Sequence, residues 1–293
     1  MERLEDTIAP ELADGIVNIE SVIQRAEELR VVPQVALKVQ QLVTDPTSTI
    51  GEVVDALRLD PAMATNLLRL ANSAYYGRGR KISTVQRAVQ LLGMRGTRDL
   101  VFALMVAAGT AAPGDLLRAR LWGHALRTGF VARQLAMGVP AVKEDEAFIA
   151  GLLHDLGVML LYDVGPPGYD EVLRRAGTTL TGLDNLERHL YGFDHAEVAE
   201  RCLRRWNFPP SLCLAAQMHH NVQATLLAGV VQLADEIDTW LSVGLALPDV
   251  VEQASRHRAN KRLSRSEAQI ADDIEGAIEL TTFVRGGQHR VSG

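Results

Sequence analysis

The stretch from Ala147 to Tyr162, AFIAGLLHDLGVMLLY, constrains this chain more than any other. It is apolar on every side for about four helical turns, so it offers no face to water and predicts a buried central helix. His154 and Asp155 stand in its middle. A carboxylate buried without a partner is costly, so Asp155 needs a cation, a hydrogen-bond donor or a metal.

The sequence on either side is helical in pattern. Val85, Ala88, Val89 and Leu92 recur at i, i+3, i+4 and i+7, one face of a helix that ends at Gly93, with another from Met94 to Ala108. Thr49 with Glu52 forms a capping box, Asp60-Pro61 opens a helix, and Asp194 with Glu197 caps another. No segment alternates at period two between turn signals, so the expected fold is all-α. A seam near residue 110 divides two helical bundles. Residues 1–24 form an acidic arm and the start of the first helix, 25–110 the first bundle and 111–245 the second. Residues 246–293 form a more polar helical extension with a flexible tail. Hydrophobic residues are 47% of the chain and aromatics 5%, so the core is built mainly of Leu, Val and Ala.

Several function classes recede. The net charge of −6 argues against a general nucleic-acid coat. The cluster Arg256, His257, Arg258, Lys261, Arg262 and Arg265 reads as a solvated helix face. The N-terminus MERLEDTIAPEL is polar and acidic, unlike a secretory leader. Leu100–Ala112 is too short to span a bilayer, and Leu226–Leu247 carries Asp235, Glu236 and Asp238, so no membrane association is expected. Cys202 and Cys213 read as two buried thiols of a cytoplasmic protein rather than a disulfide. Tyr75 and Tyr76, in the turn from Ser73 to Lys81, read as a plug between the bundles rather than a nucleotide-stacking site. The acidic arms leave a homodimer open.

The histidines carry the chemistry. His124 lies one helix upstream of the His154-Asp155 pair; His195 follows the cap Asp194; His219-His220 ends a helix; Asp235 lies inside the next long one. A single helical histidine is more often a packed, hydrogen-bonded residue than a ligand, Asp235 alone suits solvent, and adjacent helical residues splay about 100° apart. Taken together, His124, His154, Asp155, His195, His219, His220 and Asp235 suit a divalent ion such as Fe, Mn, Mg or Zn, with no thiol needed. Without a metal, Asp155 is expected to take hydrogen bonds from these histidines.

The motif HD-x-G on an apolar helix, with a histidine upstream and an aspartate downstream in LADEI, resembles the HD phosphohydrolase superfamily, whose ligand order H…HD…D is matched by His124, His154, Asp155 and Asp235. His195, His219 and His220 match the positions that complete a two-metal centre in its HD-GYP branch. VVPQVALKVQQLVTDP, LDPAMATNLLRLANSAYYG and STVQRAVQLLGMRGTRDLV, with AFIAGLLHDLG and DHAEVAERCLRRWNFP, resemble the HDOD family of bacterial signalling output domains over roughly residues 25 to 245. That resemblance implies an N-terminal helical bundle packed on an HD-like helical bundle, and a regulatory role. The chain departs from active HD-GYP enzymes at Val158, where they carry lysine, and His219-His220 runs on without their characteristic loop.

The expected function is therefore a signal-transduction module that binds a signalling protein or a nucleotide, with a vestigial or structural metal site. The alternative is a metal-dependent phosphohydrolase acting on a nucleotide or cyclic dinucleotide; Arg127, one turn from His124, reads first as a solvated arginine and second as a residue that neutralises a phosphate. No receiver or cyclase domain is visible, so the input is expected to act in trans.

Overall fold

The computed structural model describes residues 18–28, 34–60, 63–64, 67–68, 71, 82–108, 115–166, 168–177, 179–221 and 225–286. Among them there is no strand. The turn holding Tyr75 and Tyr76 lies outside the described residues. In chain order the helices are α1 (Ile19–Glu28), α2 (Gln34–Thr44), α3 (Ile50–Arg58), α4 (Val85–Ala108), α5 (Leu116–Ala136), α6 (Glu144–Leu153), α7 (Leu156–Val164), α8 (Tyr169–Ala176), α9 (Leu183–Tyr191), α10 (His195–Arg205), α11 (Pro210–Met218), α12 (Leu226–Ser242), α13 (Leu247–Arg256), α14 (Arg258–Leu263) and α15 (Glu267–Gly286).

Local chemistry sets the helix starts. Thr49 and Glu52 close a reciprocal capping box at α3, with Thr49 N–H donating to Glu52 Oε2 at 2.7 Å. Asp60 Oδ1 accepts from Met63 N–H at 2.9 Å. Asp115, Asp194 and Thr225 accept the N3 amides of α5, α10 and α12. Gly93 interrupts α4 at φ 70°, ψ 172°, so the two halves of α4 are separate helical rods joined at a glycine kink.

Helices α2, α3 and α4 pack together, and α4 docks this bundle onto α6. Helix α1 lies instead on α7 and α10, where Glu20 pairs with Arg201 at 2.9 Å. In the second half α5 is the central rod, covered by α6, α12 and α15. The crossing of α5 and α6 is close because both sides offer glycine: a Cβ on Gly151 would meet Gly129 Cα and Thr128 O at 2.9 Å.

The apolar stretch departs from its expected form. It is buried from Ala147 through Leu161, but two helices rather than one cross it. The break falls at Asp155, whose backbone (φ −97°, ψ 19°) occupies the bridge region. Gly157 explains how the second rod is placed, because its bare Cα lies against the His195 backbone and a Cβ there would meet His195 O at 1.9 Å. Glu144–Val164 is long and apolar enough by composition to cross a bilayer, and 89% of that window is buried inside the protein.

The C-terminal helices continue the second bundle. Arg265 forms a buried pair with Asp273 at 2.6 Å and donates to Met137 O at 2.9 Å, so it latches α15 to the end of α5. The expectation of a solvated basic face fails at this residue, because the Asp273 carboxylate and the α5 carbonyls draw its guanidinium inward. Cys202 and Cys213 are free and buried, and burial pushes the Cys202 thiol up to about 12.

Candidate metal centre

All seven expected residues meet around one carboxylate. Helix α5 brings His124, the α6–α7 break brings His154 and Asp155, the first residue of α10 brings His195, the end of α11 brings His219 and His220, and α12 brings Asp235. Asp155 faces two groups with its two oxygens. Its Oδ2 lies 3.3 Å from His154 Nε2 and 3.6 Å from His124 Nε2, and Asp235 Oδ1 is 3.2 Å from His124 Nε2. Its Oδ1 lies 3.4 Å from His219 Nε2 and 3.5 Å from His195 Nε2, which is in turn 2.9 Å from His220 Nε2. The helix break is what lets the adjacent His154 and Asp155 side chains turn to the same point.

Four of the imidazoles are oriented from behind. His124 Nδ1 lies 2.8 Å from Asp238 Oδ2, His154 Nδ1 2.7 Å from Gly151 O, His195 Nδ1 2.6 Å from Glu187 Oε2, and His219 Nδ1 2.6 Å from Ala216 O. Each acceptor takes the Nδ1 proton, which leaves the Nε2 lone pair facing the centre. With the rings neutral, lone pairs would confront one another, as at His124 Nε2 and His154 Nε2, 3.3 Å apart. His219 Nε2 is buried with no hydrogen-bond partner among the described residues. Nitrogen and carboxylate donors converging in this way repel unless a cation sits among them, and the set fits two divalent ions sharing Asp155.

Protons supply part of that positive charge in the free chain. Burial would depress His124, but Asp235 and Asp238 outweigh it and hold the ring well above 6.5. Burial likewise opposes the charge on His195, and Glu187 overcomes it, raising the ring to about 9. Burial would raise Asp155, but His154, His219 and His195 hold it well below the usual carboxylate range. His220 shows a face to solvent. Its ring is nonetheless pushed down to about 2 by burial of its nitrogens and by the neighbouring His219 and His195.

Two carboxylates central to this arrangement were absent from the expected set. Asp238 sits three residues after Asp235 on the same face of α12 and receives both His124 and Arg127, the latter through Nε at 2.5 Å and Nη2 at 3.0 Å. Arg127 is therefore neither solvated nor wholly free for a ligand. Glu187 reaches His195 from α9, and no motif marks it. A cavity of about 320 Å³ opens over the centre, lined by His124, Arg120, Arg127, His220, Thr181 and Thr239 among others.

The HDOD domain model matches residues 29–222, well over half of the chain. This chain belongs to the HDOD family. An HDOD domain protein of unknown function from Geobacter sulfurreducens has a similar structure, with TM-score 0.72 and 25% identity over 92% of this chain and 99% of that one. A candidate phosphohydrolase from Shewanella amazonensis SB2B also has TM-score 0.72, at 23% identity over 90% of this chain and 98% of that one, a likeness of fold. An uncharacterized protein of Treponema pallidum (strain Nichols) is 30% identical over 210 residues, which are 69% of this chain; the chain spans 39% of that relative's length. Within this HDOD chain, Asp235 and Asp238 lie beyond the matched residues, and Val158 is fully buried.

Proposed function

We propose that this HDOD protein is a signal-transduction component whose His/Asp cluster binds two divalent ions and hydrolyses a phosphate ester held in the overlying cavity. One observation carries the reading. Asp155 offers one oxygen to each of two imidazole groups, and four of the rings are fixed by an Nδ1 hydrogen bond with Nε2 turned inward. A retained scaffold with no ligand to hold has no need of that orientation. His124, His154, Asp155 and Asp235 would hold one ion, and Asp155, His195, His219 and His220 the other. Such ions supply Lewis acidity and positive charge toward a phosphoryl group.

The chain's own residues do the rest. Asp238 clamps Arg127 through two nitrogens, so its guanidinium charge stands at the cavity wall without a free choice of rotamer. Arg120 lies two turns back along α5 from Arg127 on the same wall, where a second anionic group of the ligand would meet it. The turn bearing Thr179 and Thr181 lines the same cavity, beside Arg120, whose Nη2 donates to Gly177 O at 3.4 Å, and it offers hydroxyls.

A second reading is favoured by Val158. The resemblance places a lysine there in active enzymes, and a buried valine cannot contact a phosphate. On that reading the metal-bearing cavity binds a nucleotide or helps dock a signalling protein, without turnover. Elemental analysis of the purified protein, with assays on phosphomonoesters and phosphodiesters after adding Mn or Fe, separates the two. Two equivalents of metal with turnover that Asp155→Ala abolishes supports the first. Two equivalents with no turnover leaves the second, and no metal uptake removes the first and leaves a binding module whose cluster holds no ion.

A further inference from the structure

Glu187 is a fully buried carboxylate that holds no metal-facing position. It accepts three hydrogen bonds: Oε2 takes the His195 backbone N–H at 2.8 Å and lies 2.6 Å from His195 Nδ1, while Oε1 takes the Tyr169 hydroxyl. Tyr169 is itself buried, and burial together with the Glu187 charge pushes its pKa well above 10, so it remains a donor. A buried anion is tolerated only when bonded in this way. Two of its three bonds go to a single residue, His195.

The other imidazoles around Asp155 Oδ1 are placed differently. His219 bonds back to Ala216, within its own helix, and His220 meets the His195 ring through Nε2 while another part of it is exposed to solvent. His195 is thus the ring of that group that a separate element fixes among the described residues. We propose that Glu187, backed by Tyr169, is a positioning residue that sets the affinity of the second metal subsite by fixing the tautomer and rotation of His195. This rests on the metal-centre reading above. The Nδ1 contact leaves the lone pair on Nε2 and makes it a stronger donor, because the acceptor is anionic. The backbone bond to the same oxygen ties the ring to the first turn of α10. The Tyr169 bond to the other oxygen stops the carboxylate from rotating. α8, which carries Tyr169, and α9, which carries Glu187, are joined by the turn that lines the cavity, so one hairpin shapes both the cavity and the ligand.

The test is a zinc titration of the metal-free protein against a chromophoric chelator, read as two dissociation constants. The wild-type chain is expected to take two equivalents. Glu187→Gln keeps the shape and an acceptor oxygen, and is expected to weaken one site about 10–100-fold while the other holds. Tyr169→Phe, a milder change for the case in which the first does not fold, is expected to weaken the same site a few-fold. Because Glu187 acts through His195, adding Glu187→Gln to His195→Ala is expected to cost nothing further in zinc affinity. Unchanged zinc constants in both Glu187→Gln and Tyr169→Phe, even with a lowered urea midpoint, would mean a purely structural role and overturn the inference. So would additive losses in the double variant. A wild-type chain that takes up no zinc would remove the metal-centre reading together with this one, whereas two equivalents insensitive to Glu187 would remove this one alone.

Discussion

The two oxygens of Asp155 look onto halves of one cluster that are built in different ways. On the Oδ2 side, His124 and Asp235 project from the interiors of α5 and α12, long rods packed against each other in the core, and His154 ends α6. On the Oδ1 side, the ligands sit at helix ends: His195 is the first residue of α10, and His219 and His220 follow the last residue of α11. The first half inherits its geometry from core packing. The second depends on local devices, namely the Asp194 cap, the Glu187 carboxylate and the bare Cα of Gly157. Core packing gives way only with the fold, whereas local devices can be removed singly, so the second half should lose metal without the chain unfolding.

Gly157→Ala tests that comparison most severely. Its Cβ would meet His195 O at 1.9 Å, a backbone atom that cannot swing aside. We expect α7 and α10 to be forced apart, a loss of about 3 kcal/mol in urea unfolding, and the disappearance of one zinc equivalent. The surviving equivalent should be the one that Asp235→Ala removes. Loss of both together would mean the halves are a single unit.

The unequal construction also explains what could be read from the residues. The all-α architecture, the caps at Thr49, Asp60 and Asp194 and the Gly93 break follow from periodicity and helix-end chemistry, which are local. The seven cluster residues were legible as a set through the spacing of their helices and the family resemblance. The break at Asp155 was not, because AFIAGLLHDLGVMLLY carries an unbroken apolar run; the turn is set by how α7 lies on α10, a contact between distant segments. Asp238 left a trace, an i, i+3 partner to Asp235, but in LADEID it resembles an ordinary solvated acidic face. Glu187 left none, since LDNLERHLY reads as a short charged helix.

Asp238→Asn is the counterpart on the Oδ2 side. It keeps the shape but removes the charge that receives His124 Nδ1 and Arg127. Zinc titration should show the first site weakened about 10–100-fold and the second unchanged, the reverse of Glu187→Gln. A smaller effect is expected at the cap of α10. Asp194→Ala removes the acceptor of Glu197 N–H at 2.8 Å and should cost about 1 kcal/mol in the urea midpoint, with a slight weakening confined to the second site.

The smallest expected effect is a pH dependence at the start of α5. Asp115 accepts from Arg118 N–H at 3.0 Å, and that bond, against a smaller opposing effect of burial and helped by the Arg118 side chain, lowers its pKa below the ordinary 3.8. A carboxyl lowered by folding contributes stability above its unfolded value, and the contribution vanishes as pH falls through the folded one. The stability gap between wild type and Asp115→Asn should therefore be level near neutrality and close below about pH 3.8 in unfolding curves taken across that range. A gap that persists at lower pH would mean the cap works by shape rather than charge.

The latch of Arg265 onto Asp273 and the α5 carbonyls has a practical side. A chain shortened to the residues matched by the family, 29–222, would keep all five histidines of the cluster and Asp155. It would lose both carboxylates of α12 and uncover α5 where α12 and α15 lie on it. Such a fragment would expose apolar surface and aggregate, and its failure to take up metal would say nothing about the intact protein. The portable unit, for grafting onto another signalling chain or for crystallisation, extends through α15 to Gly286.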